Sequence, residues 1–288
     1  MFKTKLSLSL AMAALTVGSV MLVVSCKKSN DTTTTSTTST DNGYVNEHAV
    51  AEKSYDDAQS IADQANAVTS GSIGYKTTEH TAGSCATVTR SVTGDTITID
   101  FGTVDCLCLD GRTRRGKIIV TKTGAYAAMG SVKTITFSNY YQNDNQVTGT
   151  KTITNMGNNS SGQPYFNITV NGSVILASGA GTISTNWTRV RTWIAGSSTP
   201  TTWSDDVYSI SGSGTLTRAS GVIMNIDIPT ATPLVVAYAC RWIESGTITY
   251  TNTSTSAVTS IDFGSTSSCD NIATLTTRTG ATYTISMP

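Results

Sequence analysis

Two periods divide this chain. Between Tyr44 and about Ser70, Tyr55, Ala58, Ile61, Ala62, Ala65 and Val68 recur at helical spacing, with Glu47, Glu52, Asp56, Asp57 and Asp63 on other faces. That pattern predicts one amphipathic helix over 44–70, stopped by Ser70-Gly71. Its stripe is mostly alanine, too small for a free coiled-coil seam, so it is expected to lie against a sheet. From Cys85 onward the period is two. Ile135 and Phe137 alternate with Thr134, Thr136 and Ser138, and Phe166, Ile168 and Val170 alternate with Asn167 and Thr169. Short runs of this kind, broken by Gly and Asn, predict about fourteen strands joined as antiparallel meanders. Residues 71–288 therefore read as an all-β body, either a sandwich or a strongly curved sheet, and the sandwich-like form is preferred because large sheets tend to split into two layers. Asn171-Gly172, between two apolar runs, reads as a hairpin turn that sets Val170 opposite Ser173.

The first 43 residues have neither period. An apolar run after Lys3 and Lys5 ends in Val23-Val24-Ser25-Cys26, which reads as an export signal (1–25) closed by a lipobox. Cys26 is the expected lipidation site, and acyl chains there would hold the protein at a membrane. Lys27 and Lys28 would sit at the headgroups, and the lack of an aspartate directly after Cys26 favours the outer membrane. The cell surface and the periplasmic face remain equal alternatives. Residues 26–43, dominated by Ser, Thr, Asn and Asp, offer no apolar surface and read as a disordered tether.

Lys plus Arg and Asp plus Glu both number 19, and loss of Lys3 and Lys5 leaves the exported part slightly acidic. No concentrated basic face is available for nucleic acid. The one basic cluster, Asp110-Gly111-Arg112-Thr113-Arg114-Arg115-Gly116-Lys117, reads as a solvated turn and lacks the phosphate-loop pattern.

Five cysteines in an exported body predict disulfides. Ile99-Asp100-Phe101-Gly102 matches Ile261-Asp262-Phe263-Gly264, and cysteines flank both. Two related halves, 85–150 and 235–288, are the expectation, joined by a hairpin-rich middle. By the same logic Cys240 pairs with Cys269, and Cys85 with either Cys106 or Cys108. A Cys-x-Cys without further ligands is a poor zinc site, and no cofactor motif is present.

Trp187, Arg189, Arg191 and Trp193 alternate in one strand and so share a face. They form either a ligand-binding stripe, with indoles for sugar rings and guanidiniums for acidic substituents, or a structural Arg–Trp ladder on a solvent-facing sheet. Trp203, Asp205 and Asp206 border the same face in this reading. Catalytic chemistry is sparsely provided for. No GxSxG elbow occurs, His48 and His80 are the only histidines, and Asp100 and Asp262 fit turn positions better than a carboxylate pair.

The stretches Ile99–Gly102, Cys108–Arg112, Arg115–Ile118, Arg191-Thr192-Trp193, Ser204–Tyr208 and Cys240-Arg241-Trp242 together resemble an uncharacterised outer-membrane lipoprotein family of Bacteroidota, from the helix to the C-terminus. The resemblance implies an outer-membrane placement and carries no reaction, cofactor or catalytic residue. The expected function is a non-enzymatic envelope lipoprotein that binds a glycan or an envelope protein. A structural or adhesive β scaffold is the alternative, followed by a glycoside hydrolase.

Overall fold

The computed structural model describes residues 35–67, 71–72, 82–199, 202–265 and 268–286. The export signal, Cys26, the first part of the tether, Val68 and His80 lie outside them. Helix α1 spans Thr35–Ala67. The strands are β1 Gly71–Ser72, β2 Thr87–Arg90, β3 Thr96–Asp100, β4 Cys106–Leu107, β5 Thr113–Lys122, β6 Val132–Gln142, β7 Asn145–Asn158, β8 Pro164–Ile175, β9 Thr182–Ala195, β10 Val207–Thr217, β11 Ile223–Ile228, β12 Leu234–Ala237, β13 Thr247–Asn252, β14 Val258–Asp262, β15 Ile272–Thr276 and β16 Thr282–Ser286.

All sixteen join one antiparallel sheet, in near-sequential order from β1 to β16, with β4 and β12 pairing off the main path onto β5 and β10. Among the described residues no second sheet layer is present, so of the two forms expected the curved sheet holds and the preferred sandwich gives way. The reason is α1, which covers the inner face that a second sheet would otherwise bury. Reading the helix backwards, its partners advance strand by strand. Arg90 of β2 donates to the Asn66 carbonyl at 2.8 Å, Lys133 of β6 pairs with Asp63, Lys151 of β7 with Asp56 at 2.6 Å, Arg189 of β9 with Glu52, and Tyr250 of β13 meets His48 at 2.9 Å. From Asn66 to His48 the helix rises about 27 Å. The nine spacings from β2 to β13 amount to about 43 Å of flat sheet. One helix can reach both only if the sheet curls around it.

The inner face is the apolar half of each alternation. Tyr55, Ala58, Ile61, Ala62 and Ala65 pack with Val88, Ile97, Ile118, Ile135 and Val170 in one cluster. Tyr44 and Ala51 pack with Ile183, Leu216, Ile226, Ile248, Tyr250 and Leu275 in another. The outer face is threonine. Thr96, Thr121, Thr134, Thr152, Thr169 and Thr188 are successive cross-strand partners from β3 to β9. Such pairs fit the pleat and stabilise it by about 0.2–1 kcal/mol each.

Several expectations are corrected here. Asn171-Gly172 is no turn, because β8 runs through it and Gly172 pairs with Gly149 of β7. The helix begins at Thr35, so the backbone from Thr35 to Gly43, read as tether, is helical. Extending an existing helix gains a hydrogen bond for each residue fixed, whatever the composition. The basic cluster is also no solvated turn. β5 starts at Thr113, Arg114 is fully buried and ion-paired with Asp110 at 2.6 Å, and Arg112, Arg115 and Lys117 pair with Asp57, Asp105 and Asp100.

The disulfides are Cys240–Cys269 and Cys85–Cys106. Cys108 is not a partner, since β4 ends at Leu107 and leaves it as a buried free thiol in the core cluster. Replacing Cys240 and Cys269 together with alanine is expected to cost about 3–4 kcal/mol through the loop they close. Urea midpoints of the two proteins check this, and coincident midpoints would rule it out.

The two Ile-Asp-Phe-Gly stretches share a local geometry. Asp100 and Asp262 each accept the backbone N–H two residues on, at 2.9 and 2.8 Å, and both following glycines have positive φ. Phe101 and Phe263 donate to the carbonyls of Gly116 and Gly246, both also at positive φ. Gly116 follows its partner in the chain, however, whereas Gly246 precedes its own.

Candidate functional site

Strands β6 to β10 are the long ones, 11 to 14 residues each. At one end they overhang α1, and their inner face there is left uncovered. The result is a trough of about 1010 Å³. One wall is the helix face carrying Asp56, Ser60 and Asp63. The others are the loop holding Tyr126 and the segment holding Trp203, together with Tyr238 just beyond β12.

The Trp–Arg stripe runs along the floor, with Trp187, Arg189, Arg191 and Trp193 all on the inner face of β9. The helix cuts it in two. Trp187 is buried, with the Arg189 guanidinium 4.2 Å from its ring centre and its indole N–H without a partner. Gly214 lies opposite on β10, where a Cβ would come within 2.2 Å of the Trp187 Cβ. Arg189 is buried and forks onto Glu52, with Nη2 2.9 Å from Oε1. Neither residue faces solvent, so both belong to the seat of the helix.

Arg191 and Trp193 lie past the helix on the open floor. Arg191 sits between the Phe166 and Tyr208 rings, 5.3 and 5.0 Å from their centres, and donates from Nη2 to the Tyr126 hydroxyl at 3.2 Å. Tyr126 stacks on Phe166 with centroids 5.1 Å apart. Trp193 and Tyr208 both donate to Asp206, at 3.1 and 3.0 Å, which fixes the two rings side by side. Burial pushes the Asp206 carboxyl above the usual range, against these two bonds. Burial likewise pushes the Lys133 ammonium down, although Asp63 beside it opposes the change. At the rim, Trp203 and Tyr238 meet edge to face at 5.7 Å and keep 37% and 48% of their surface exposed.

Trp203 and Asp206 thus border the stripe, while Asp205 is engaged by the Thr199 hydroxyl at 2.6 Å and is not part of the trough. Asp100 and Asp262 lie elsewhere, at the ends of β3 and β14. No described group of His, Cys, Asp and Glu is arranged to hold a metal ion. Tyr126, Phe166, Tyr208 and Tyr238 are the trough residues that the sequence did not single out. Tyr126 and Tyr238 sit in irregular segments where alternation carries no signal, Phe166 read only as a strand position, and Tyr208 entered only through the resemblance.

Among the described residues no helix is long and apolar enough to cross a membrane. No protein-family model, curated protein or solved structure matches this chain, so the trough itself carries the functional argument.

Proposed function

We propose that this protein is an outer-membrane lipoprotein, anchored through Cys26, whose β body binds a glycan in the trough beside α1 and does no chemistry on it. The observation that carries the reading is the aromatic lining with exposed faces: Tyr126 on one wall, and the Trp203–Tyr238 pair at the rim. Flat apolar faces bordered by hydrogen-bonding groups suit pyranose rings, which present C–H faces and equatorial hydroxyls, and aromatic groups hold them at little entropic cost. The lipobox at Val23–Cys26 and the resemblance to Bacteroidota lipoproteins support the anchor and its placement.

Trp203→Ala combined with Tyr238→Ala is expected to lower glycan affinity by a factor of about 10–100, since a stacking aromatic contributes about 1–3 kcal/mol of contact energy. Thermal unfolding should move only slightly, because both side chains keep more than a third of their surface exposed and lie outside the two core clusters. Retention of the full chain on immobilised bacterial and plant polysaccharides provides the readout. Equal retention of wild type and the double variant would take the rim out of the site.

A further inference from the structure

Five cations line the trough. Three of them face a carboxylate of α1, Lys133 with Asp63, Lys151 with Asp56 and Arg189 with Glu52, and Lys122 donates to the Asn66 side-chain oxygen at 3.0 Å. Arg191 has neither. Among the described residues its guanidinium makes a single hydrogen bond, to the neutral Tyr126 hydroxyl, and its Nε is buried without any acceptor. The Phe166 and Tyr208 rings hold it in place without neutralising it. A partly buried guanidinium with one N–H left unsatisfied and no carboxylate in contact is an arrangement that a bound anion relieves.

We infer that Arg191 is the subsite for a carboxylate borne on a sugar ring, so that the ligand is an acidic, uronate-containing glycan. This rests on the glycan-binding reading of the trough. Geometry favours the carboxylate. A guanidinium is planar and matches a planar two-oxygen anion edge to edge. The stacking groups at the rim then receive the neighbouring rings of the chain.

The test is calorimetric titration of the detergent-solubilised mature protein with oligouronates of several linkages, each against its methyl ester, which removes the charge and keeps the ring. Wild type is expected to prefer the acid forms about tenfold, as a charge-assisted bidentate contact provides. Arg191→Gln should bring that ratio close to one, and Arg191→Lys should restore part of it, with thermal unfolding confirming that both variants are folded. Equal binding of acid and ester by wild type, abolished by the Trp203 and Tyr238 substitutions, would overturn the Arg191 subsite and leave the glycan trough standing. No binding of either form by wild type would overturn both.

Discussion

Gly172→Ala is expected to destabilise the protein by about 3 kcal/mol or more, at the upper end of what overpacking costs. A methyl group added to Gly172 would lie 2.1 Å from the Tyr55 hydroxyl and 2.4 Å from the Thr148 carbonyl oxygen. The second neighbour is backbone of the adjacent strand and cannot swing aside. The clash also displaces Tyr55, which is fully buried and donates to that same carbonyl at 2.8 Å. Gly149, the cross-strand partner of Gly172, has φ +100, so both strands give up side chains where the tyrosine reaches the sheet. Gly124→Ala serves as control, with Ser131 Cβ at an ordinary 3.8 Å and no unusual φ. In a double-mutant cycle Tyr55→Phe should recover part of the Gly172→Ala loss, because it removes the closest of the three clashing atoms. Denaturant midpoints decide this. A Gly172→Ala cost no larger than that of Gly124→Ala would mean that the helix is not seated against this glycine pair.

Gly172 also marks where the sequence misleads. Asn-Gly between alternating runs signals a hairpin because glycine readily adopts the turn, but glycine equally serves where another part of the chain approaches the backbone. Local pattern cannot separate these two uses, since the approaching atom belongs to a residue more than a hundred positions away. The same limit applies to the cluster around Arg114. Four cations on a glycine-bounded stretch look solvated until the fold brings in their carboxylates, one of them, Asp57, from the helix. What the pattern did carry is the helix stripe, the strand alternation and the shared face of Trp187, Arg189, Arg191 and Trp193, because these depend only on periods of 3.6 and 2. The curl of the sheet was legible only as one of two alternatives, and the division of that face into a buried and an open half was not legible at all. Both depend on where α1 crosses.

Glu52→Gln is expected to cost about 3–5 kcal/mol, the usual loss when a buried ion pair is broken from one side. Glu52 takes both guanidinium nitrogens of Arg189 and the ring of His48, which in turn meets the Tyr250 hydroxyl. Burial alone would raise its pKa. The charge of Arg189 and the hydrogen bonds from His48 and Arg189 outweigh burial and hold the carboxyl at about 2. A folded-state pKa below the unfolded value contributes stability that is fully present above the unfolded pKa, near 4.5, and is lost as the pH falls towards 2. Over that window the shift is equivalent to roughly 3 kcal/mol. Wild type should therefore lose stability steeply between pH 4.5 and 2, and Glu52→Gln should start lower and decline less. Replacing the pair as Glu52→Gln with Arg189→Met should recover much of the loss, because the buried cation is then gone as well. Urea midpoints across this pH range decide it: parallel curves for wild type and Glu52→Gln, or a cost under about 1 kcal/mol, would show that the pair does not clamp the helix. The outcome bears on binding too. Glu52 neutralises Arg189 just where α1 leaves the floor of the trough, and Arg191, two residues further along β9, is the first cation beyond the reach of the helix. Weakening the clamp is expected to blur that boundary and lower ligand affinity without touching a residue of the open floor.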